Sequence, residues 1–81
     1  MKVRVLFFAQ LKDAFGEDER IVEIQEGITA NQLGQLLVSG LNGCGWLSLS
    51  LRYAVNEAFV DGAKELRQDD VLALIPPVGG G

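Results

Sequence analysis

Polar and apolar positions alternate from the start of the chain. Lys2-Val3-Arg4-Val5-Leu6-Phe7-Phe8 puts Val3, Val5 and Phe7 on one side and Lys2 and Arg4 on the other, the two-residue period of a half-buried strand. Leu6 and Phe8 share the side of Lys2 and Arg4, so the far end of this strand is apolar on both faces. That pattern predicts either a second cover or a contact surface. Residues 9–15 read as a short helix closed by Gly16, and Glu17-Asp18-Glu19 as a solvated acidic turn. Arg20 to Gln25 alternates again, with Val22 and Ile24 inward, and the short connection predicts an antiparallel hairpin with the first strand.

Thr29-Ala30-Asn31-Gln32 has the spacing of a capping box, in which Thr29 and Gln32 each accept the other's backbone N–H. Ile28 and Leu33 hold the staple positions on either side. Ala30, Leu33, Leu36 and Leu37 predict one apolar stripe, and Gly40 ends the helix. Gly34 within it costs roughly 1 kcal/mol relative to Ala, a cost that only close packing would justify. The stretch 41–51 contains Trp46, Leu47, Leu49 and Leu51, which need burial, but their spacing suits a short helix or a strand equally. Arg52 to Asn56 reads as a strand, Asn56-Glu57 as a turn toward Phe59 and Val60, and Asp61-Gly62 as another turn.

Val71 to Ile75 is a continuous apolar run of strand length and predicts a buried strand near the middle of a sheet. It stops at Pro76 and Pro77, which lack the N–H that a ladder needs and fix φ near about −65°. Val78, Gly79, Gly80 and Gly81 follow. Glycines add nothing to a core and lose the most freedom on ordering. A tail without Cβ atoms suits a narrow tunnel, through which it would carry the Gly81 carboxylate into another protein's active site. From Pro77 to Gly81 an extended chain reaches on the order of 17 Å. A bare Gly-Gly-Gly is also what a frayed terminus looks like, but Pro-Pro-Val joins this one to a buried strand without any linker.

Composition narrows the partners. The 81 residues bound one domain with a modest core. A hydrophobic fraction of 48% and a mean hydropathy of +0.21 are rich for that size, which predicts apolar surface reserved for a partner. A net charge of −4 argues against nucleic acid and anionic membrane and for a protein with a basic mouth. No apolar run approaches a membrane span, and Met1 leads into a strand-like segment rather than a signal peptide, so the expected location is cytoplasmic. The single Cys44 forms no internal disulfide and reads as an incidental loop residue, with a sulfur-handling thiol as the alternative. The chain has no His. Ser-His and Cys-His nucleophile arrangements are therefore excluded, and a metal site is weakened.

The order strand, short helix, strand, capped helix, then two or three further strands predicts an α+β roll. On Phe7-Phe8-Ala9, Ala54-Val55-Asn56, and Asp69-Asp70-Val71 through Ile75-Pro76-Pro77-Val78-Gly79-Gly80-Gly81, essentially the whole chain resembles the small, sulfur-carrier subunits of molybdopterin synthase. Gly-Gly alone is shared by ubiquitin-like modifiers and the thiamine-pathway carriers. The Pro-Pro-Val-x-Gly-Gly ending with the Phe-Phe-Ala entry is more specific. Gly79 departs from the family, where a small polar residue is common. The resemblance implies a ubiquitin-like β-grasp: a mixed sheet of four to five strands crossed by one main helix, with a domain over 1–75 and an extended, flexible tail over 76–81.

The resemblance also implies a chemistry. A carboxylate acylates poorly because its leaving group would be oxide. An ATP-consuming adenylating enzyme of the ubiquitin-activating type would convert Gly81 to an acyl adenylate, and a sulfur donor would displace AMP to leave a thiocarboxylate. The tail would then enter the large catalytic subunit of molybdopterin synthase, which holds the active-site residues, and give sulfur to the pyranopterin precursor. The small subunit would bind no cofactor, and two copies would sit at the ends of a heterotetramer. Gly79 and Gly80 would permit passage, Pro76 and Pro77 would aim the tail, and Val78, Ile75, Phe7 and Phe8 complete the expected partner contacts. The alternatives are a carrier for another pathway, a protein modifier, and an interaction module with an inert tail.

Overall fold

The computed structural model describes residues 1–40 and 51–77. The elements are β1 (Lys2–Phe7), α1 (Ala9–Phe15), β2 (Glu19–Glu23), α2 (Ala30–Ser39), β3 (Arg52–Val55), β4 (Ala58–Val60) and β5 (Val71–Ile75). Among the described residues the five strands form one sheet in the order β2-β1-β5-β3-β4. β1 pairs antiparallel with β2 and parallel with β5, and β3 pairs antiparallel with both β5 and β4. A last strand inserted beside the first, with a helix packed across one face, is the expected β-grasp arrangement. Of the undecided stretch 41–51, all but Leu51 lies outside the described residues, Cys44 included.

The inner face is built in cross-strand rows. Phe7, Leu74, Tyr53 and Val60 are successive partners across four strands, and Val5, Leu72 and Val55 make the row beside them. Val5, Leu72 and Leu74 are completely buried, and each such side chain contributes about 1.5–3 kcal/mol. Leu11 of α1, Ala30, Leu33 and Val38 of α2, and Leu66 of the loop before β5 complete this core.

α2 begins as its sequence predicts. Gln32 N–H donates to Thr29 Oγ1 at 3.3 Å and Thr29 N–H donates to Gln32 Oε1 at 3.0 Å. The two other N–H groups of the first turn are met by the loop 61–66: Ala30 donates to the Lys64 carbonyl and Asn31 to that of Gly62, both at 2.9 Å. The helix N-terminus therefore leaves no donor orphaned in that turn. α1 ends at Gly16 with φ 73°, a left-handed cap suited to glycine.

Two expectations need correction. Leu36 is not in the apolar stripe of α2; it is 65% exposed, and Val38 and Gly34 are buried instead. The helix is rotated because Gly34, lacking a Cβ, lets Tyr53 lie directly against the helix backbone. A Cβ built on Gly34 would stand 2.8 Å from Tyr53 Cε1 and 3.3 Å from Leu74 Cδ2. β5, in turn, is central but buried on one face only: Leu72 and Leu74 are covered, while Val71, Ala73 and Ile75 are half-buried.

Gly34→Ala should thus destabilise the fold. Overpacking costs roughly 1–3 kcal/mol and helix propensity returns about 1. The expected net loss is about 0–2 kcal/mol, a fall in Tm of up to roughly 15 °C by thermal denaturation; a higher Tm would refute the close packing.

Tyr53 also gives a pH signature. Burial pushes its phenol above the ordinary value of 10.0, because desolvation disfavours the phenolate. The neutral phenol's stabilisation is fully present below pH 10.0 and is lost as pH climbs through the higher folded value. Tyr53 is the only tyrosine, so the ultraviolet phenolate band reports it alone. The native midpoint should lie above that of the protein in denaturant, and coincident midpoints would contradict the burial.

Candidate functional site

The face of the sheet that α1 and α2 leave uncovered among the described residues carries an apolar row. Leu6, Ala73, Ala54 and Phe59 are successive cross-strand partners on β1, β5, β3 and β4. The two alanines rise little above the backbone, while Leu6 and Phe59 stand up on either side. The result is a trough of about 600 Å³ whose lining also takes in Phe8, Val71 and Ile75. Phe59 is 70% exposed and Phe8 45%, unusual for rings with so much apolar area to bury. Exposed apolar side chains gathered in one trough make it the candidate site.

The trough has two distinct ends. Asn56 and Glu57 line one end beside Val71. Asn56 is held there by three hydrogen bonds to the chain entering β5: its N–H donates to the Val71 carbonyl at 2.9 Å, its Oδ1 accepts from Val71 N–H at 3.0 Å, and its Nδ2 donates to Asp70 Oδ1 at 3.0 Å. At the other end lie Phe8 and Ile75, and there the chain leaves β5. Pro76 is buried and Pro77 exposed, so Pro76 anchors the exit and Pro77 begins the departure. Arg52, the cross-strand partner of Ile75, holds its guanidinium 6.0 Å from the Phe59 ring centroid, within cation–π range.

The sequence-predicted site residues divide accordingly. Ile75 and Phe8 lie on the trough. Phe7 does not: it is 1% exposed and stacked on Phe15 with ring centroids 4.1 Å apart. The strand alternation that puts Val3 and Val5 inward puts Phe7 inward with them, so it is a core residue and not a partner contact. The side chain of Arg20 covers that stack, 5.0 Å from the Phe15 centroid, while its guanidinium is held by Glu17 at 2.6 Å. Val78, Gly79, Gly80 and Gly81 lie outside the described residues. The sequence marked the Leu6 and Phe8 side of β1 as a contact surface or a second covered face, and Leu6 is a wall of the trough; Ala54, Phe59 and Ala73 were missed. The available signal was small Ala73 between Val71 and Ile75 on a central strand, together with a phenylalanine just past a hairpin turn. Among the described residues no group of three His, Cys, Asp or Glu side chains stands close enough to hold a metal ion.

The comparisons with known proteins agree with this fold. The ThiS family matches residues 5–81. The chain is 36% identical over 84 residues to the molybdopterin synthase sulfur carrier subunit of Drosophila yakuba, covering all of this chain and 92% of that one. Among solved structures, a molybdopterin converting factor subunit 1 from Pyrococcus furiosus superposes with a TM-score of 0.75 at 26% identity, covering 96% of this chain and 99% of that one. A chain in the complex of subunits 1 and 2 of the molybdopterin-converting factor from Helicobacter pylori superposes with a TM-score of 0.67, also at 26% identity, over the full length of both. With the family spanning nearly the whole sequence and a curated relative this similar over its full length, the chain belongs to the ThiS family and, within it, to the molybdopterin synthase sulfur carrier subunits.

Proposed function

We propose that this protein carries sulfur on its C-terminal carboxyl group, and that the trough on the open face of the sheet docks the large subunit of molybdopterin synthase. The observation that carries the reading is continuity: β5 supplies the floor and one end of the trough, and the same strand runs through Pro76 and Pro77 into the glycine tail. A partner seated on Ala54, Ala73 and Ile75 receives that tail without any intervening linker. The Helicobacter pylori complex of subunits 1 and 2 supports such a pairing.

The division of labour follows from the residue inventory. The trough is apolar, and the chain has no His, so its own contribution is to bind, aim and deliver. An adenylating enzyme activates the Gly81 carboxylate with ATP, releasing pyrophosphate. A sulfide equivalent from a sulfur donor then displaces AMP and leaves the thiocarboxylate. In the large subunit that sulfur passes to the pyranopterin precursor, and the carboxylate returns when water supplies its oxygen. Gly79 and Gly80 carry no side chains to obstruct the path, and the two prolines limit the freedom lost when the tail is threaded. No cofactor is bound permanently, the ATP-dependent charging takes place in the cytoplasm, and two carriers serve one large-subunit pair in a heterotetramer.

Incubation with the adenylating enzyme, ATP and a sulfur donor, followed by intact mass spectrometry, tests the carrier role. The expected product gains the mass of one oxygen exchanged for sulfur. Deleting Gly81 should abolish that gain while leaving Tm within about 2 °C, since a terminal glycine contributes little to packing. Isopeptide-linked species in place of the mass gain would make the protein a modifier. An unchanged mass would leave the tail inert, and a large stability loss in the deletion would place the tail in the fold.

A further inference from the structure

Glu57 occupies a position where the fold favours glycine. Val55 and Ala58 are cross-strand partners, so Asn56 and Glu57 alone make the β3–β4 turn, with φ of 52° and 72°. Both values lie in the left-handed region required at the two central positions of a type I′ hairpin, where Asn-Gly is the favoured pair. Asn56 suits the first position, and its side chain is committed to Asp70 and Val71. Glu57 in the second position is strained by its Cβ. Strain of this kind persists where a side chain has a use.

Glu57 is exposed and lines the trough together with Phe59 and Ala54. It takes no part in either ion pair found among the described residues, Arg4 with Glu19 and Arg20 with Glu17. A partner that covers the trough therefore removes water from an ionised carboxylate at its rim. Desolvating an unpaired carboxylate opposes binding strongly, whereas pairing it with a cation reverses the sign. We infer that Glu57 is a specificity-determining contact that pairs with a lysine or arginine of the large subunit, fixing which end of the trough the partner's basic group addresses. The inference rests on the docking face proposed above and adds to it a charge and an orientation: the acidic rim at the turn, and the Arg52 end where the tail departs. It also accounts for a non-glycine residue at φ 72°, since glycine would relieve the strain and forfeit the contact.

The test is calorimetric titration of the full chain with its cognate large subunit, comparing Glu57→Gln, Glu57→Gly and Glu57→Lys at low and high salt. The charge-neutral variants should weaken binding roughly tenfold or more, with Glu57→Lys weaker still, and the salt dependence should flatten relative to the unsubstituted protein. Glu57→Gly should lose affinity although its Tm rises, a combination that a purely structural role does not produce. Phe59→Asp is the control for the face itself, and its fold is checked by circular dichroism because Phe59 is exposed. If Phe59→Asp abolishes binding and all three Glu57 variants bind within about twofold of the unsubstituted chain, the Glu57 contact is overturned and the docking face stands. If Phe59→Asp also binds normally, the docking face itself is wrong. A Glu57→Gly protein that binds the large subunit normally but self-associates would likewise overturn the contact and assign the carboxylate to keeping copies apart.

Discussion

A sheet has two faces, and among the described residues α1 and α2 pack against one of them. Small domains bury a limited share of their surface, and here the burial is concentrated where α1 and α2 lie against β1, β5 and β3. The consequence falls on β5. Being central, it is apolar on both sides, yet only Leu72 and Leu74 are covered by the protein itself. Val71, Ala73 and Ile75 are left half-buried. The open face thus follows directly from inserting an apolar strand into a single-layered sheet, and the trough is where that shortfall is placed.

The details of the covered face keep the open one in register. Gly34 allows Tyr53 to approach α2 closely, which fixes β3 beside β5 and so sets Ala54 opposite Ala73. On the far side, Asn56 ties the β3–β4 turn to the entry of β5, which holds Phe59 opposite Ala54. A one-residue slip in either pairing would turn the alanines inward and the core residues out. The proposed docking surface is therefore specified by the same contacts that stabilise the fold, and Pro76 leaves the sheet from the strand that forms the trough floor.

Much of this was legible in the sequence, for identifiable reasons. The Thr29 to Gln32 capping box, the Gly16 cap and the alternation in β1 are local signals, each encoded within a few residues, and each is present as read. Leu36 was misplaced because a helical stripe drawn from hydrophobicity gives weight to leucine and none to glycine, whereas the packing turns on Gly34. The resemblance counts Phe7 among the partner contacts, although the alternation that buries Val3 and Val5 commits it to the core. The trough escaped notice because it is assembled across four strands distant in sequence. Ala54 and Ala73 signal nothing alone, and only the register that opposes them creates a floor.

In the proposed function, the open sheet face and the C-terminal strand form one docking surface for the large subunit. Amide and methyl chemical-shift changes in the isotopically labelled chain, recorded as the large subunit is added, test it most directly. The changes should concentrate on Leu6, Ala54, Phe59, Ala73 and Ile75, with Leu33, Val38 and the outer side of α2 little affected. Changes centred on α2, with the trough residues unmoved, would contradict it.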